Sequence, residues 1–499
     1  MKAKTTVGIK TKIIKNLIPP ELVEAFNRTD TGYNILLKGK AGAGKTTFAL
    51  TLLDVFKDFE PIYLSTRVAP LSLYFQFPWL KKKRLKPENI IDATRTYIPP
   101  ANRPDPDGSL MKAHLMRTIR FSSIPEFLKI IYEKIAQYER PIIVIDSWDA
   151  IMGQESENKE NIETLFSEFI RQTNAKLILI AESDEIGFLD YIVDGIFTIR
   201  DDSVDGRTIR TIEVNKIRAI ERKQKKYAFT LYNNKFRYCK PFQDLKPTEI
   251  KPWKTTPDLN DLFSTGNESL DRLYHGGLKP GTFNLLEVES NVPISSYSSI
   301  IIAMICNFIQ QNRGIIVHTT DGINSELIDK KRLFLYLKTD AISKNMRILM
   351  EKLTDRNEIR PYITQIEKEN FNETFFDTYA KLSSITKFQP VFSAISYNTL
   401  SFMVDFNKAI GQFDQHITLI RNSNVIELGI INSTRSIINA SSPLSTLTND
   451  LSYIADTHLK ILEQNGAIFI YGIKPRTQLF YMENDFSKGY PQIKLVPIV

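Results

Sequence analysis

Apolar residues in this 499-residue chain gather in short continuous runs more often than in alternating patterns. Ile35–Leu37, Ile62–Leu64, Ile142–Ile145 and Leu177–Ile180 are each bounded by turn-forming or charged residues. Runs of this length, rich in β-branched residues, predict strands buried on both faces, as in a parallel sheet. Between them the apolar spacing changes to that of helices. Leu22, Val23 and Phe26 follow Pro19-Pro20; Phe48, Leu50, Leu52, Leu53 and Phe56 follow the first run; Phe127, Leu128, Ile130, Ile131 and Ile135 precede the third. Val193–Ile199 and Ile209–Val214 read as a strand pair. Alternation of strand and helix through residue 200 predicts an α/β fold, a mostly parallel twisted sheet covered by helices.

The first strand and helix are joined by Gly39-Lys40-Ala41-Gly42-Ala43-Gly44-Lys45-Thr46, followed by Thr47, which fits G-x-x-x-x-G-K-[ST] at every fixed position. A phosphate chain needs backbone N–H groups pointing inward, and side chains at the turn would block its approach. The helix start adds the positive end of its dipole. The motif therefore predicts a site for ATP across Gly39 to Thr47, with Lys45 on the β- and γ-phosphates and the Thr46 hydroxyl on Mg²⁺. A second magnesium partner is expected at the end of a buried strand on the same sheet edge. Pro141-Ile142-Ile143-Val144-Ile145-Asp146 ends in such a carboxylate, so Asp146 takes the Walker B position.

Composition narrows the setting. Hydrophobic residues make up 42% and charged residues 24%, as in ordinary globular proteins. Two cysteines, Cys239 and Cys306, form neither a disulfide framework nor a metal-binding spacing, which suits a reducing cytoplasm. The longest apolar stretch, Ile300–Ile309, contains Asn307 and is too short to span a bilayer, so no membrane role is expected. The basic N-terminus has no long apolar segment behind it and reads as no signal peptide. A net charge of +8 is compatible with nucleic acid or an acidic protein partner. Lys81–Lys86 follows Tyr74, Phe75, Phe77 and Trp79, a pairing that can serve single-stranded nucleic acid or simply anchor a solvated lysine run. Residues 97–108 read as a proline-rich surface loop. The organisation expected is a domain over 1–240, a proline-rich linker over 241–258 and a second domain over 259–499.

The second half opens with Ser264-Thr265-Gly266-Asn267-Glu268-Ser269-Leu270-Asp271-Arg272-Leu273 and Gly276-Gly277-Leu278-Lys279-Pro280-Gly281, then the strand Phe283–Val288. That phrase resembles the entry to the ATPase core of the RecA/RadA/KaiC superfamily. The resemblance implies tandem RecA/KaiC-like P-loop domains. Landmarks recur about 250 residues apart, Gly39 with Glu289, Thr66 with Thr319, Asp146 with Ile395 and Lys216-x-Arg218 with Lys474-x-Arg476. In the second copy the segment Glu289–Ser296 has neither glycine nor lysine, with Ser295 in place of the loop lysine. It is expected to be a degenerate copy that serves as scaffold, partner surface or regulator.

KaiC-like ATPases carry a Lys-x-Arg that reaches a neighbouring subunit's nucleotide in ring assemblies. Lys216 and Arg218 match it, which implies a homo-oligomer. The same family places paired glutamates after the second strand; this chain reads Leu64-Ser65-Thr66-Arg67-Val68. An arginine cannot accept a proton, so hydrolysis should be slow unless Asp149 or Glu182 substitutes, or Arg67 serves the γ-phosphate instead. The P-loop region, Ser65–Val68, Tyr74–Leu80 and Ile143–Ile151 are similar to the archaeal gas-vesicle regulatory protein D family. That resemblance implies a nucleotide-dependent regulator acting through a protein partner, with the basic runs Lys81–Lys86 and Arg222–Lys226 as its contact patches. The expected function is a regulatory protein switched by MgATP, a weak ATPase at most, through loops around 67–108 and 150–160. The alternative is a RadA-like recombination or repair accessory that binds DNA, although no dedicated DNA-binding module is evident.

Overall fold

In the computed structural model the described residues are 17–28, 31–82, 85–92, 131–152, 159–245, 247–318, 332–350, 360–367, 370–403, 406–433 and 443–499, with Ile323 and Leu327. The loop expected over 97–108, the helix positions 127–130, Lys83, Arg84, Thr319, and 153–158 of the second switch loop lie outside them. The chain divides into two compact units, residues 1–240 with 498–499, and residues 241–497.

The first unit is built on β1 (Tyr33–Gly39), β2 (Glu60–Ser65), β3 (Ile90–Asp92), β4 (Pro141–Asp146), β5 (Lys176–Ile180), β6 (Gly195–Val204), β7 (Arg207–Ile217), β8 (Lys226–Thr230) and β9 (Arg237–Tyr238). They form one sheet in the order β3-β2-β4-β5-β1-β6-β7-β8-β9. The strands from β3 to β6 are parallel, and β6 to β9 continue antiparallel. The apolar runs are buried because both faces are covered. Ile35 and Leu37 pack with Phe48 and Leu52 of the helix Lys45–Val55 on one side, and Leu36 packs with Ile170 and Trp148 on the other. The helix Lys45–Val55 is buried on nearly every side, as expected of one lying inside a domain.

The second unit repeats this plan. Its strands are β10 (Thr282–Glu289), β11 (Ile315–His318), β12 (Met346–Met350), β13 (Ile363–Gln365), β14 (Val391–Ser396), β15 (Val425–Ser433), β16 (Thr457–Gln464), β17 (Ala467–Lys474), β18 (Phe480–Asp485) and β19 (Gln492–Pro497). Their order, β13-β12-β11-β14-β15-β10-β16-β17-β18-β19, is that of the first unit with one further edge strand. Both units are α/β, with mostly parallel sheets under helices.

Matching bonds fix how the copies correspond. Asn34 N donates to Asp194 Oδ2 at 3.1 Å, and Phe283 N donates to Asp456 Oδ2 at 2.9 Å. With those pairs superposed, the strand registers put Glu287 at the place of Lys38, Glu289 at Lys40, and Ser396 at Asp146. This shifts the correspondence read from sequence by one residue: Gly39 meets Val288, not Glu289, and Asp146 meets Ser396, not Ile395. A serine supplies no carboxylate, so the second copy lacks the Walker B group in either alignment.

The phrase that opens the second unit works as a knot. Asp271 accepts from Ser264 Oγ and Thr265 Oγ1, both at 2.6 Å, and from Thr265 N at 2.7 Å, while the Asn267 side chain caps the helix Glu268–Leu273. The stretch 241–258, read as a linker, is fastened along this unit. Phe242 N donates to Gly466 O, Lys251 N to Gly489 O and Trp253 N to Tyr336 O, and the Trp253 ring is buried against Tyr490. The helix Ile294–Gln310 carries the long apolar stretch as buried core. Among the described residues no helix is long and apolar enough to cross a membrane.

Candidate functional site

The loop after β1 turns through positive φ at Gly39 (149°), Gly42 (79°) and Gly44 (104°). Two of these glycines have different reasons. A Cβ on Gly44 would lie 2.7 Å from Leu231 Cδ1, so the Leu231 side chain would have to shift to admit one. A Cβ on Gly42 would meet nothing within 4 Å; there the backbone faces open space that a ligand can approach. The helix Lys45–Val55 starts directly behind, with no side chain capping its first amides. Lys45 is buried and its Nζ donates to Gly39 O at 2.5 Å and Lys40 O at 2.8 Å. Burial lowers its pKa most, the Glu182 and Asp146 carboxylates oppose that, Arg67 adds to the lowering, and Asp184 again opposes it. The ammonium therefore stands among the charges of the site.

Thr46 Oγ1 donates to Asp146 Oδ2 at 2.7 Å, so the two expected magnesium partners meet across 100 residues of chain. They meet because β5 lies between β1 and β4, which brings all three strand ends to one sheet edge. Asp149, in the helix Trp148–Met152, accepts from Glu182 N through Oδ2 at 2.6 Å. Arg67, beyond β2, forms an ion pair with Glu182, beyond β5. Arg67, Asp149 and Glu182 thus lie together at the edge that carries the P-loop.

Lys216 and Arg218 do not. They lie at the opposite sheet edge, because β7 runs back from the P-loop end and Lys216 pairs with Ile196 near the start of β6. Lys216 Nζ donates to Asp190 O at 2.7 Å and Tyr191 O at 3.1 Å; Arg218 reaches Asp194 Oδ1 at 3.2 Å and Tyr191 O at 3.1 Å. Lys474 repeats this, donating to Tyr453 O and Ala455 O. Neither Lys216 nor Arg218 reaches the P-loop of this unit.

Two residues that sequence reasoning passed over join the site. The Tyr63 hydroxyl donates to Asp146 Oδ2 at 2.7 Å, the oxygen Thr46 also uses. Burial, then the Asp146 charge and hydrogen bond, push this phenol well above its ordinary 10, so it stays a donor. Arg210 Nη1 donates to Gly42 O at 3.4 Å and Ala43 O at 3.3 Å, and to Asp201 Oδ1 at 2.7 Å. The signal for Arg210 was present in Asp205-Gly206. Both residues have positive φ, a two-residue hairpin turn that sets Arg210 opposite Asp201.

These residues fit a magnesium-bound nucleoside triphosphate. The open Gly42 backbone, the uncapped helix start and a lysine held only by loop carbonyls suit phosphates, and the threonine and aspartate oxygens suit a hard divalent cation.

Comparisons find a P-loop domain in the first unit. Residues 23–215 match the family model described as GvpD gas vesicle protein, P-loop domain. The chain is 23% identical to the protein GvpD2 of Halobacterium salinarum over 506 aligned residues, covering 96% of each chain. It is 28% identical to GvpD1 of the same organism over 313 residues, which are 60% of this chain and 56% of that one. More distantly, it is 24% identical over 261 residues to the circadian clock oscillator protein KaiC of Parathermosynechococcus lividus, covering 49% of this chain and 44% of that one. The GvpD and KaiC resemblances read from the sequence are both returned by these comparisons.

Proposed function

We propose that the chain is a regulatory P-loop protein whose first unit binds MgATP, hydrolyses it slowly or on stimulation, and changes its hold on a protein partner with nucleotide state. The observation that carries this is the joining of a complete P-loop to Thr46, Asp146 and an Arg67–Glu182 ion pair at one sheet edge. Similarity to GvpD and KaiC proteins supports the same class.

In this reading the amides from Gly42 to Thr46 hold phosphate oxygens, and Lys45 leaves the Gly39 and Lys40 carbonyls for them. Thr46 and Asp146 hold the magnesium ion, which when bound neutralises charge on the phosphate chain. Slow turnover follows from the carboxylates. Asp149 is engaged by a backbone amide and Glu182 by Arg67, so neither stands ready to take a proton from water. Lys216 and Arg218, remote from their own loop, suit service to a nucleotide on another copy.

The test is MgATP binding and turnover by the purified full chain beside Lys45→Ala. Binding that Lys45→Ala abolishes, with very slow turnover, is expected. Fast turnover would overturn the regulatory reading, and absence of binding would overturn the site.

A further inference from the structure

In the Arg67–Glu182 pair the two backbone roots are held firmly and the charged groups are not. The root of Arg67 is fixed. Ser65 Oγ donates to Val68 O at 2.7 Å and accepts from Val68 N at 3.0 Å, closing a tight turn around residues 66 and 67. Thr66 is tied to the strand that carries Asp146: its amide donates to Asp146 O at 2.8 Å, its hydroxyl to the same oxygen at 3.0 Å, and it accepts from Ser147 N at 2.9 Å. The root of Glu182 is fixed by Asp149. The charged ends are not enclosed: the Arg67 side chain is 50% exposed and that of Glu182 32%. An ion pair this open is weak and easily exchanged. Thr66 is bonded to Asp146, which holds Thr46, and Ala181 N donates to Leu37 O at 2.9 Å, so the roots of Arg67 and Glu182 both stand beside the P-loop.

A guanidinium fork fits a phosphate through two parallel hydrogen bonds, and a terminal phosphate carries more charge than one carboxylate. A diphosphate lacks that terminal group. Resting on the reading of the P-loop as a nucleotide site, we infer that Arg67 distinguishes nucleoside triphosphate from diphosphate by exchanging the Glu182 carboxylate for the γ-phosphate. With diphosphate bound, Arg67 stays on Glu182 and the site keeps its resting form. With triphosphate bound, Glu182 loses its partner, and the turn at residues 65–68 carries the change into the helix Pro70–Gln76. The pair is then a nucleotide-state sensor made within one chain, separate from Lys216 and Arg218.

The experiment titrates the full chain with fluorescent ADP and with a fluorescent non-hydrolysable ATP analogue, each with magnesium chloride. Wild type, Lys45→Ala, Arg67→Ala, Arg67→Lys and Glu182→Gln are compared, with circular dichroism melts as a folding check. Arg67→Ala should lose about tenfold or more in triphosphate affinity, the loss of a charged hydrogen bond, while ADP affinity changes by less than about threefold. Glu182→Gln should tighten the triphosphate and leave ADP alone, because it weakens the competitor. Arg67→Lys should restore part of the preference. A triphosphate-to-diphosphate ratio unchanged in Arg67→Ala overturns the inference while leaving the P-loop reading in place, provided Lys45→Ala has lost both nucleotides. Binding that ignores Lys45→Ala, or no binding by wild type, overturns both.

Discussion

Tyr63→Phe is the cleanest single change the site offers. It removes one oxygen, keeps the ring in the core packed around the helix Lys45–Val55, and opens no cavity of consequence. What it takes away is a 2.7 Å hydrogen bond to an ionised carboxylate, made by a phenol that is 1% exposed. Such bonds are worth about 1.5–3 kcal/mol when the acceptor is charged and about 1 kcal/mol when both partners are neutral. Asp146 keeps its bond from Thr46, so the lower half of the charged range applies, about 2 kcal/mol. Hydrogen–deuterium exchange reads this locally. Amides in peptides covering β2 and β4 should lose roughly ten- to hundredfold in protection, and peptides covering β10 should not change. In an Asp146→Asn background the same Tyr63→Phe change should cost only about 1 kcal/mol, because the acceptor is then neutral. Equal costs in the two backgrounds, or no change in β2 and β4, would refute the claim that Tyr63 holds the Asp146 carboxylate in place.

Three further outcomes follow. Gly44→Ala, at φ 104° and with its new carbon 2.7 Å from Leu231 Cδ1, should lower the melting temperature more than Gly42→Ala, which bears only backbone strain of about 1–2 kcal/mol; equal melts would contradict the packing at Leu231. Arg210→Ala should weaken ADP and the ATP analogue by similar factors, since Arg210 braces Gly42 and Ala43 and not a terminal phosphate; a selective loss of triphosphate would show otherwise. In the second unit burial alone would raise the Glu287 pKa, but the hydrogen bond from His458, the Lys460 charge and the Ser433 hydroxyl bring it down from 4.5 to about 2. A depressed carboxylate stabilises the fold above its unfolded value and loses that stability as pH falls through its folded value. About 3 kcal/mol should therefore disappear from the second unit between pH 4.5 and 2, a loss that urea unfolding of Glu287→Gln should show flattened.

What could be read from the chain was whatever depends on neighbours in sequence. The P-loop was legible because positive φ demands glycine at fixed spacing and the helix must begin at Lys45. The strand ending in Asp146 was legible because four β-branched residues in a row have few other uses. What depends on register between distant strands was not. Tyr63 faces Asp146 only because β2 pairs with β4 so that Ser65 lies beside Asp146, and nothing local to Pro61–Ser65 says so. Asp149 and Glu182 were both read as candidate bases for water; the fold makes them each other's neighbours and gives both a different partner. Arg210 needed two registers, the hairpin turn at Asp205-Gly206 and the parallel pairing of β1 with β6, which lets the hairpin run on past the loop.

The two units share one topology but arrange their charges differently at the sheet edge that carries the P-loop. In the first unit Lys38 is neutralised by Asp190 at 2.7 Å, away from the loop, and Lys45 is left on two carbonyl oxygens. Carbonyl dipoles satisfy an ammonium geometrically without cancelling its charge, so a polyanion gains by displacing them. In the second unit the charge at the place of Lys38 is reversed, and the charged groups there pair with one another. Glu287 stands where Lys38 does and Lys460 where Thr198 does. Lys460 lies 3.2 Å from Glu287 and 3.7 Å from Glu289, and His458 bridges Glu287 and Ser452 at 3.1 and 2.8 Å. Two carboxylates already hold the cation nearest the loop position, and no glycine lets backbone amides converge between Glu289 and Ile294. A phosphate arriving there would meet like charge first. The sheet edge that in the first unit leaves Lys45 on loop carbonyls is, in the second, closed by its own side chains.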